Sequence, residues 1–435
     1  MFPSREYVIR RQQLAKKLSS GSVAIIPAAP EVTRNGDATY RFRQDSDFFY
    51  LTGFNEPDAI LVIMAGQSGE SILFNRPRDP LHEQWTGRRL GQEDAKDVLS
   101  VQEAWSVDDF SQQLPELIAN KTAIYYTPSR YPHIEKIIWR AIKTVKGQVR
   151  KGVSAPSMVC DLEPFLSEMR LIKSTAEVKL MQRAADISVA GHLKAIQVCR
   201  HSAWEYELEA ALLYEFIRQG SRGLAYDPIV GCGENACVLH YTANNQPLHA
   251  GQMVLIDAAA EFDNYAADIT RTFPVKGTFS GEQRAIYELV YTAQRAGIAC
   301  IKPGVSWDLI QLTMVRLITL GLCDLGILKG QVDDLIANEA YKPFYMHNSG
   351  HWLGLDVHDC GQYKVNQVWR TLESGMVMTV EPGIYITPEI PGVDPRWWNI
   401  GVRIEDDILV KGDGHRNLTE ALPTAIHDIE ALMRE

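Results

Sequence analysis

Val254-Leu-Ile-Asp257-Ala-Ala-Ala-Glu-Phe-Asp263-Asn264-Tyr-Ala-Ala-Asp268-Ile-Thr-Arg-Thr-Phe273 reads as a β-hairpin. Strand patterns flank Asp263-Asn264, a dipeptide suited to a tight turn. The midpoint of Asp257 and Asp268 falls between positions 262 and 263. Folding there brings the two carboxylates together across neighbouring strands. A single acid in a strand is ordinarily an exposed residue or a salt-bridge partner. Two facing acids in apolar surroundings repel each other and need a cation or good hydrogen bonds.

The arrangement recurs downstream. Val380-Glu381-Pro382-Gly383 ends or interrupts one strand, and Val402-Arg403-Ile404-Glu405-Asp406 sits in another. The midpoint of Glu381 and Glu405 is position 393, inside the loop-like stretch Pro388–Trp398. Arg403 and Glu405 are two apart and share a strand face. Between the hairpins lies Tyr345-Met-His347-Asn-Ser-Gly-His351-Trp-Leu-Gly-Leu-Asp-Val-His358. The spacing of His347 and His351 fits one helix face, but Gly350 and Gly354 favour a loop or strand. A lone histidine is more often structural than a ligand. Three close in sequence, beside four awkward acids, point to a metal site.

His351 with Asp257, Asp268, Glu381 and Glu405 is a hard, oxygen-rich set. It suits Mn²⁺, Mg²⁺ or Ca²⁺, with Co²⁺, Fe²⁺ and Zn²⁺ still open. Four negative charges match two divalent ions, and such a pair can polarise a carbonyl and generate hydroxide. The expected cofactor is two divalent ions, with Mn²⁺ first.

Strand patterns at Met253–Ala258, Tyr265–Phe273, Met376–Ile386 and Ile400–Val410 are accompanied by helical ones. Ser174/Glu177, Ser202/Glu205 and Ser280/Gln283 have capping-box spacing before the helical stretches 178–187, 208–217 and 286–301. Another helix is expected at Trp307–Leu320. This half is therefore α+β, with helices on an antiparallel sheet. The first third alternates helical patterns at Tyr7–Leu18 and His133–Val145 with apolar runs at Val23–Ile26, Ile60–Met64, Ile72–Phe74 and Ala123–Tyr126. That alternation describes a smaller α/β domain. The expected division is 1–172 and 173–435.

The net charge of −10 over 435 residues argues against a nucleic-acid partner. Seven cysteines without a CxxC pair disfavour disulfide scaffolds and zinc knuckles and suit a reducing compartment, with most thiols buried as small apolar residues. No apolar run approaches membrane-spanning length, and the first residues lack a signal-peptide core. The expectation is a cytoplasmic protein without a membrane partner. Gly231–Gly233 is not a phosphate loop, since no Gly-Lys-Ser/Thr follows.

Near its full length the sequence resembles proline-specific aminopeptidase P, of the pita-bread metallopeptidase superfamily. Phe42-Arg-Gln-Asp-Ser-Asp-Phe-Phe-Tyr-Leu-Thr-Gly-Phe54, Trp85-Thr-Gly-Arg-Arg-Leu-Gly91 and Gly231-Cys-Gly-Glu-Asn-Ala-Cys-Val-Leu-His-Tyr241 carry the resemblance with the metal motifs. It implies that Asp257 chelates one metal, that Asp268 and Glu405 bridge both, and that His351 and Glu381 complete the coordination of the second metal. Glu381 would also be the general base for a metal-bridging hydroxide. His240 and His358 would line the substrate site and stabilise the tetrahedral intermediate. His347 would contact substrate near the proline, and Arg403 would support the site by hydrogen bonding. Ala259 and Asn348 stand where the superfamily often has glycine, and neither change removes a ligand. The implied partners are peptides with proline second. The implied assembly is a dimer or tetramer, in which the N-terminal domain serves oligomerisation or substrate access and Trp85 reaches a neighbouring active site. Prolidase, acting on Xaa-Pro dipeptides, is the alternative; methionine aminopeptidase and a non-catalytic peptide-binding domain are more distant ones.

Overall fold

A computed structural model describes residues 4–66 and 69–434. The first three residues of the N-terminal stretch lie outside them. The chain divides into two compact units, Met1–Arg170 and Leu171–Glu435.

The first unit is built on a six-stranded mixed sheet. Its strand order is Glu103–Ser106, Ser71–Asn75, Ile60–Met64, Val23–Pro27, Ala123–Tyr126, Met158–Asp161. The inner strands are nearly all apolar because both faces are covered. Helix Pro132–Lys146 turns Ile134, Ile138, Ala141, Ile142 and Val145 inward, the i, i+4, i+7, i+8 spacing of one buried face. The short helix Ser46–Thr52 is wholly buried. It holds because Asp45 caps Phe48 N at 3.0 Å and Asp47 pairs with Arg170 at 2.7 Å and Arg130 at 2.5 Å. Gly53 ends it in left-handed backbone, where a Cβ would lie 2.3 Å from the Tyr7 ring.

The second unit packs four long helices, Thr175–Cys199, Glu205–Arg218, Gly281–Cys300 and Trp307–Asp324, against antiparallel strands. Ile187, Ile196, Val290 and Met314 from the helices share one core with Val254, Ile256, Val402 and Ile408 from the strands. The expected single sheet is divided. Ile229–Cys232, Met253–Asp257 and Thr270–Pro274 form one sheet, Gly383–Ile386 pairs with Ile400–Arg403, and Val377–Val380 pairs with Asp406–Lys411. Met253–Asp257 is continuous, but the other three stretches are broken where an acid sits: 265–273 around Asp268, 376–386 at Glu381, where Pro382-Gly383 marked an end or interruption, and 400–410 at Glu405. A continuous strand would alternate these side chains between faces, whereas the breaks release them from that alternation.

The boxes at Ser174 and Ser280 form as expected, with both reciprocal bonds. The one at Ser202 does not; Trp204 occupies the N-cap. Glu205 is used elsewhere, accepting from Cys232 N at 2.8 Å, Tyr241 Oη at 2.8 Å and Gln246 N at 2.9 Å. All seven cysteines are free, but only Cys199 and Cys232 are buried; the other five are half-buried, against expectation. Among the described residues no helix is long and apolar enough to cross a membrane.

Candidate metal centre and active site

The hairpin that carries Asp257 and Asp268 turns at Asp263 and Asn264, both at positive φ (48° and 65°). Asp257 ends its strand opposite Thr270, and Ala258 N donates to Ile269 O, so Asp268 falls beside Asp257. The second hairpin pairs Gly383 with Arg403 and Val380 with Asp406, which sets the break at Glu381 against Glu405. Glu405 N donates to Thr270 O at 3.1 Å and ties the two hairpins together. His351 lies in an irregular segment, as its glycines suggested. Its N–H donates to Thr379 Oγ1 at 3.0 Å, while Thr379 N donates back to His351 O. Gly350 permits this approach, since a Cβ there would lie 2.1 Å from Thr379 O.

Nε2 of His351 sits 3.2 Å from Asp268 and 3.6 Å from Glu381. Its Nδ1–H donates to Trp352 O at 2.9 Å, which leaves Nε2 free to act as a ligand. Asp268, His351 and Glu405 each offer a ligand atom within 4.8 Å of the others. The positive charge at hand is small. Arg403 donates from Nη2 to Asp257 at 2.6 Å, from Nε to Thr270 Oγ1 at 3.1 Å and from Nη1 to Tyr385 Oη at 3.0 Å. Thr270 in turn donates to Glu405 at 2.7 Å. Tyr385 donates to His347 Nε2 at 2.8 Å, and His347 Nδ1 donates to Asn348 O at 2.8 Å. The network thus assigns His347 a neutral tautomer.

The electrostatics agree. Burial, then the charges of Asp268, Glu381 and Asp257, hold the Glu405 carboxyl well above its ordinary range. Burial raises Asp257 against the pull of Arg403. Burial, partly offset by His351, carries Glu381 up to about 7. Burial would lower His351, but its hydrogen bond to Asp268 and the charges of Asp268 and Glu381 outweigh it and bring the ring to about 9. Burial and Arg403 push His347 down to about 4. The carboxylates lack enough cations to stay ionised together. Divalent metals would supply that charge, and oxygen donors with one imidazole suit them.

All nine residues singled out from the sequence (Asp257, Asp268, His351, Glu381, Glu405, His240, His347, His358 and Arg403) line one cavity of about 750 Å³. His240 is exposed at its edge. The His358 ring lies 4.3 Å from that of His351. Sequence reasoning missed Tyr226, whose hydroxyl lies 2.5 Å from Asp257 Oδ1 and 2.6 Å from Asp268 Oδ1. It also missed Thr270, Tyr385 and Arg271. The Arg271 guanidinium donates to Glu405 O at 2.6 Å and pairs with Asp406 at 2.7 Å. No local pattern marks Tyr226. Arg271 is visible only as a lone cation in the strand Thr270–Pro274.

The profile of metallopeptidase family M24 matches residues 179–412, and that of the aminopeptidase P N-terminal domain matches residues 7–125. The chain belongs to metallopeptidase family M24. It is 48% identical to the Xaa-Pro aminopeptidase of Haemophilus influenzae over 99% of this chain and 97% of that one. The structure of Pseudomonas aeruginosa aminopeptidase PepP superposes with a TM-score of 0.98 at 47% identity, covering 100% of this chain and 98% of that one. Aminopeptidase P from E. coli with the inhibitor Pro-Leu gives 0.96 at 44% identity, covering 100% and 98%. This M24 chain is a metal-dependent aminopeptidase with an α+β catalytic unit behind an aminopeptidase P N-terminal domain.

Proposed function

We propose that this enzyme removes the N-terminal residue from peptides with proline second, at a centre of two divalent ions, most readily Mn²⁺. The observation that carries the reading is the cluster of Asp257, Asp268, Glu381 and Glu405 around His351, short of positive charge and open to one cavity. Asp257 would hold one ion, Asp268 and Glu405 both, and His351 and Glu381 the other. Bound there, the ions would supply hydroxide near neutral pH and polarise the scissile carbonyl.

The chain's own groups do the rest. Glu381 takes the proton released by the attacking water and passes it to the proline nitrogen, which leaves as a secondary amine as the C–N bond breaks. No acyl-enzyme forms. His358 and His240 line the cavity, and each has an N–H for the developing oxyanion. Arg403 and Tyr385 fix the ring of His347, which contacts substrate near the proline. A peptide bond to proline has no N–H, so recognition must come from ring contacts.

The Met1–Arg170 unit would serve assembly into a dimer or tetramer and access to the site. Trp85, 88% exposed on helix Pro80–Thr86, supports a contact with a second copy. Substrate preference tests the functional reading. Matched Ala-Pro-Ala, Ala-Pro and Ala-Ala-Ala should rank in that order in kcat/KM with Mn²⁺. A clear preference for Ala-Pro would make the enzyme a prolidase and leave the metal site intact.

A further inference from the structure

The cavity floor is polar, yet two large apolar side chains stand exposed at its rim. Leu312, on helix Trp307–Asp324, is 53% exposed and Trp369 is 37% exposed. The side chains of His351 and Glu381 are only 13% and 17% exposed. That gradient sets a direction. A cationic peptide N-terminus belongs with the buried carboxylates, and whatever follows the proline must leave past the rim.

Trp369 is held in place. It closes a two-stranded hairpin in which Lys364 pairs with Trp369 and Val365 with Val368. The turn residues Asn366 and Gln367 both have positive φ (50° and 66°), the tight turn whose twist matches a hairpin. The Lys364 ammonium lies 4.2 Å from the centre of the indole ring. The hairpin base is tied inward: Arg370 N donates to Tyr363 O, and Trp307 N donates to Arg370 O, each at 2.9 Å. Tyr363 stacks on the buried Trp352 at 5.5 Å and accepts from Trp352 N at 3.0 Å. An indole left partly in water at a cavity rim, yet fixed by turn, cation and core, is preorganised for contact and loses little entropy on binding.

We infer that Trp369 determines specificity for the residue after the proline, offering its ring as a platform for an apolar or aromatic side chain there. The inference rests on the aminopeptidase reading. Its test compares Ala-Pro-Phe, Ala-Pro-Gly and Ala-Pro as substrates of the metal-loaded wild type, Trp369→Ala and Trp369→Phe. Wild type should favour Ala-Pro-Phe over Ala-Pro-Gly. Trp369→Ala should raise KM for Ala-Pro-Phe about tenfold with little change in kcat, and leave Ala-Pro-Gly within about twofold. Trp369→Phe should restore most of the loss. Equal KM changes on both tripeptides, or none on either, would overturn the platform. Wild type that cleaves neither tripeptide would instead overturn the aminopeptidase reading.

Discussion

Replacing Lys173 by methionine should unlock the segment that carries His358. The Lys173 ammonium lies 2.9 Å from Asp359 Oδ2, and each side chain is only 1% exposed. At that distance the attraction is about 6 kcal/mol with an effective dielectric near 20. Desolvation cancels much of this in the intact pair, but Lys173→Met takes a cation away from a buried carboxylate, and breaking such a pair costs about 3–5 kcal/mol. Urea unfolding at pH 7, followed by tryptophan fluorescence, should show the loss as a lower midpoint with an unchanged slope. Lys173→Met/Asp359→Asn, which removes both charges, should recover at least half of it. A loss below about 1 kcal/mol for Lys173→Met, or a double variant as unstable as the sum of the singles, would refute the argument. Asp359 directly follows His358, so turnover should fall in Lys173→Met even where the protein remains folded.

Asp268→Asn should lose bound metal and activity together, because Asp268 faces His351 within the ligand cluster; His358→Ala should keep metal and lose turnover, and equal metal loss in both would show their roles to be misassigned. Gly350→Ala should destabilise the protein by about 2 kcal/mol or more and weaken metal binding, since the new methyl meets a backbone carbonyl rather than a movable side chain; calorimetry and metal titration read both effects. Burial depresses His192 to about 4. Its lowered folded pKa means that the unfolded chain binds the proton first, so stability is retained above about 6.5 and falls as the pH drops towards 4, by about 3 kcal/mol in all. Urea midpoints of chelator-treated protein at pH 7 and pH 5 should differ accordingly, and His192→Gln should flatten that part of the slope.

The hairpins were legible because turn chemistry and symmetric spacing are local. Asp263-Asn264 fixes where the chain reverses, and that alone brings Asp257 to Asp268. The Glu381–Glu405 pairing followed from the same reasoning across a longer loop. The break at Glu381 was legible in Pro382-Gly383, but the one at Asp268 was not, because Tyr265–Phe273 keeps a strand-like composition through it. Nor was the fate of Glu205: its capping spacing is real, but four tertiary hydrogen bonds compete for the carboxylate and win. Tyr226 stayed hidden because its partners lie 31 and 42 residues away. Helix faces read well wherever one side is simply apolar, as in Pro132–Lys146. The half-buried cysteines read poorly because a thiol's burial depends on its neighbours.

A two-metal hydrolytic centre at Asp257, Asp268, His351, Glu381 and Glu405, as proposed above, has a direct stoichiometric consequence. The most direct measurement strips the enzyme with chelator, restores Mn²⁺ in steps, and follows bound metal per chain together with alanine release from Ala-Pro-Ala. Turnover should be absent without metal and reach its full value only as occupancy reaches two ions per chain. Full turnover in the stripped enzyme, or saturation of both binding and activity at one ion, would contradict it.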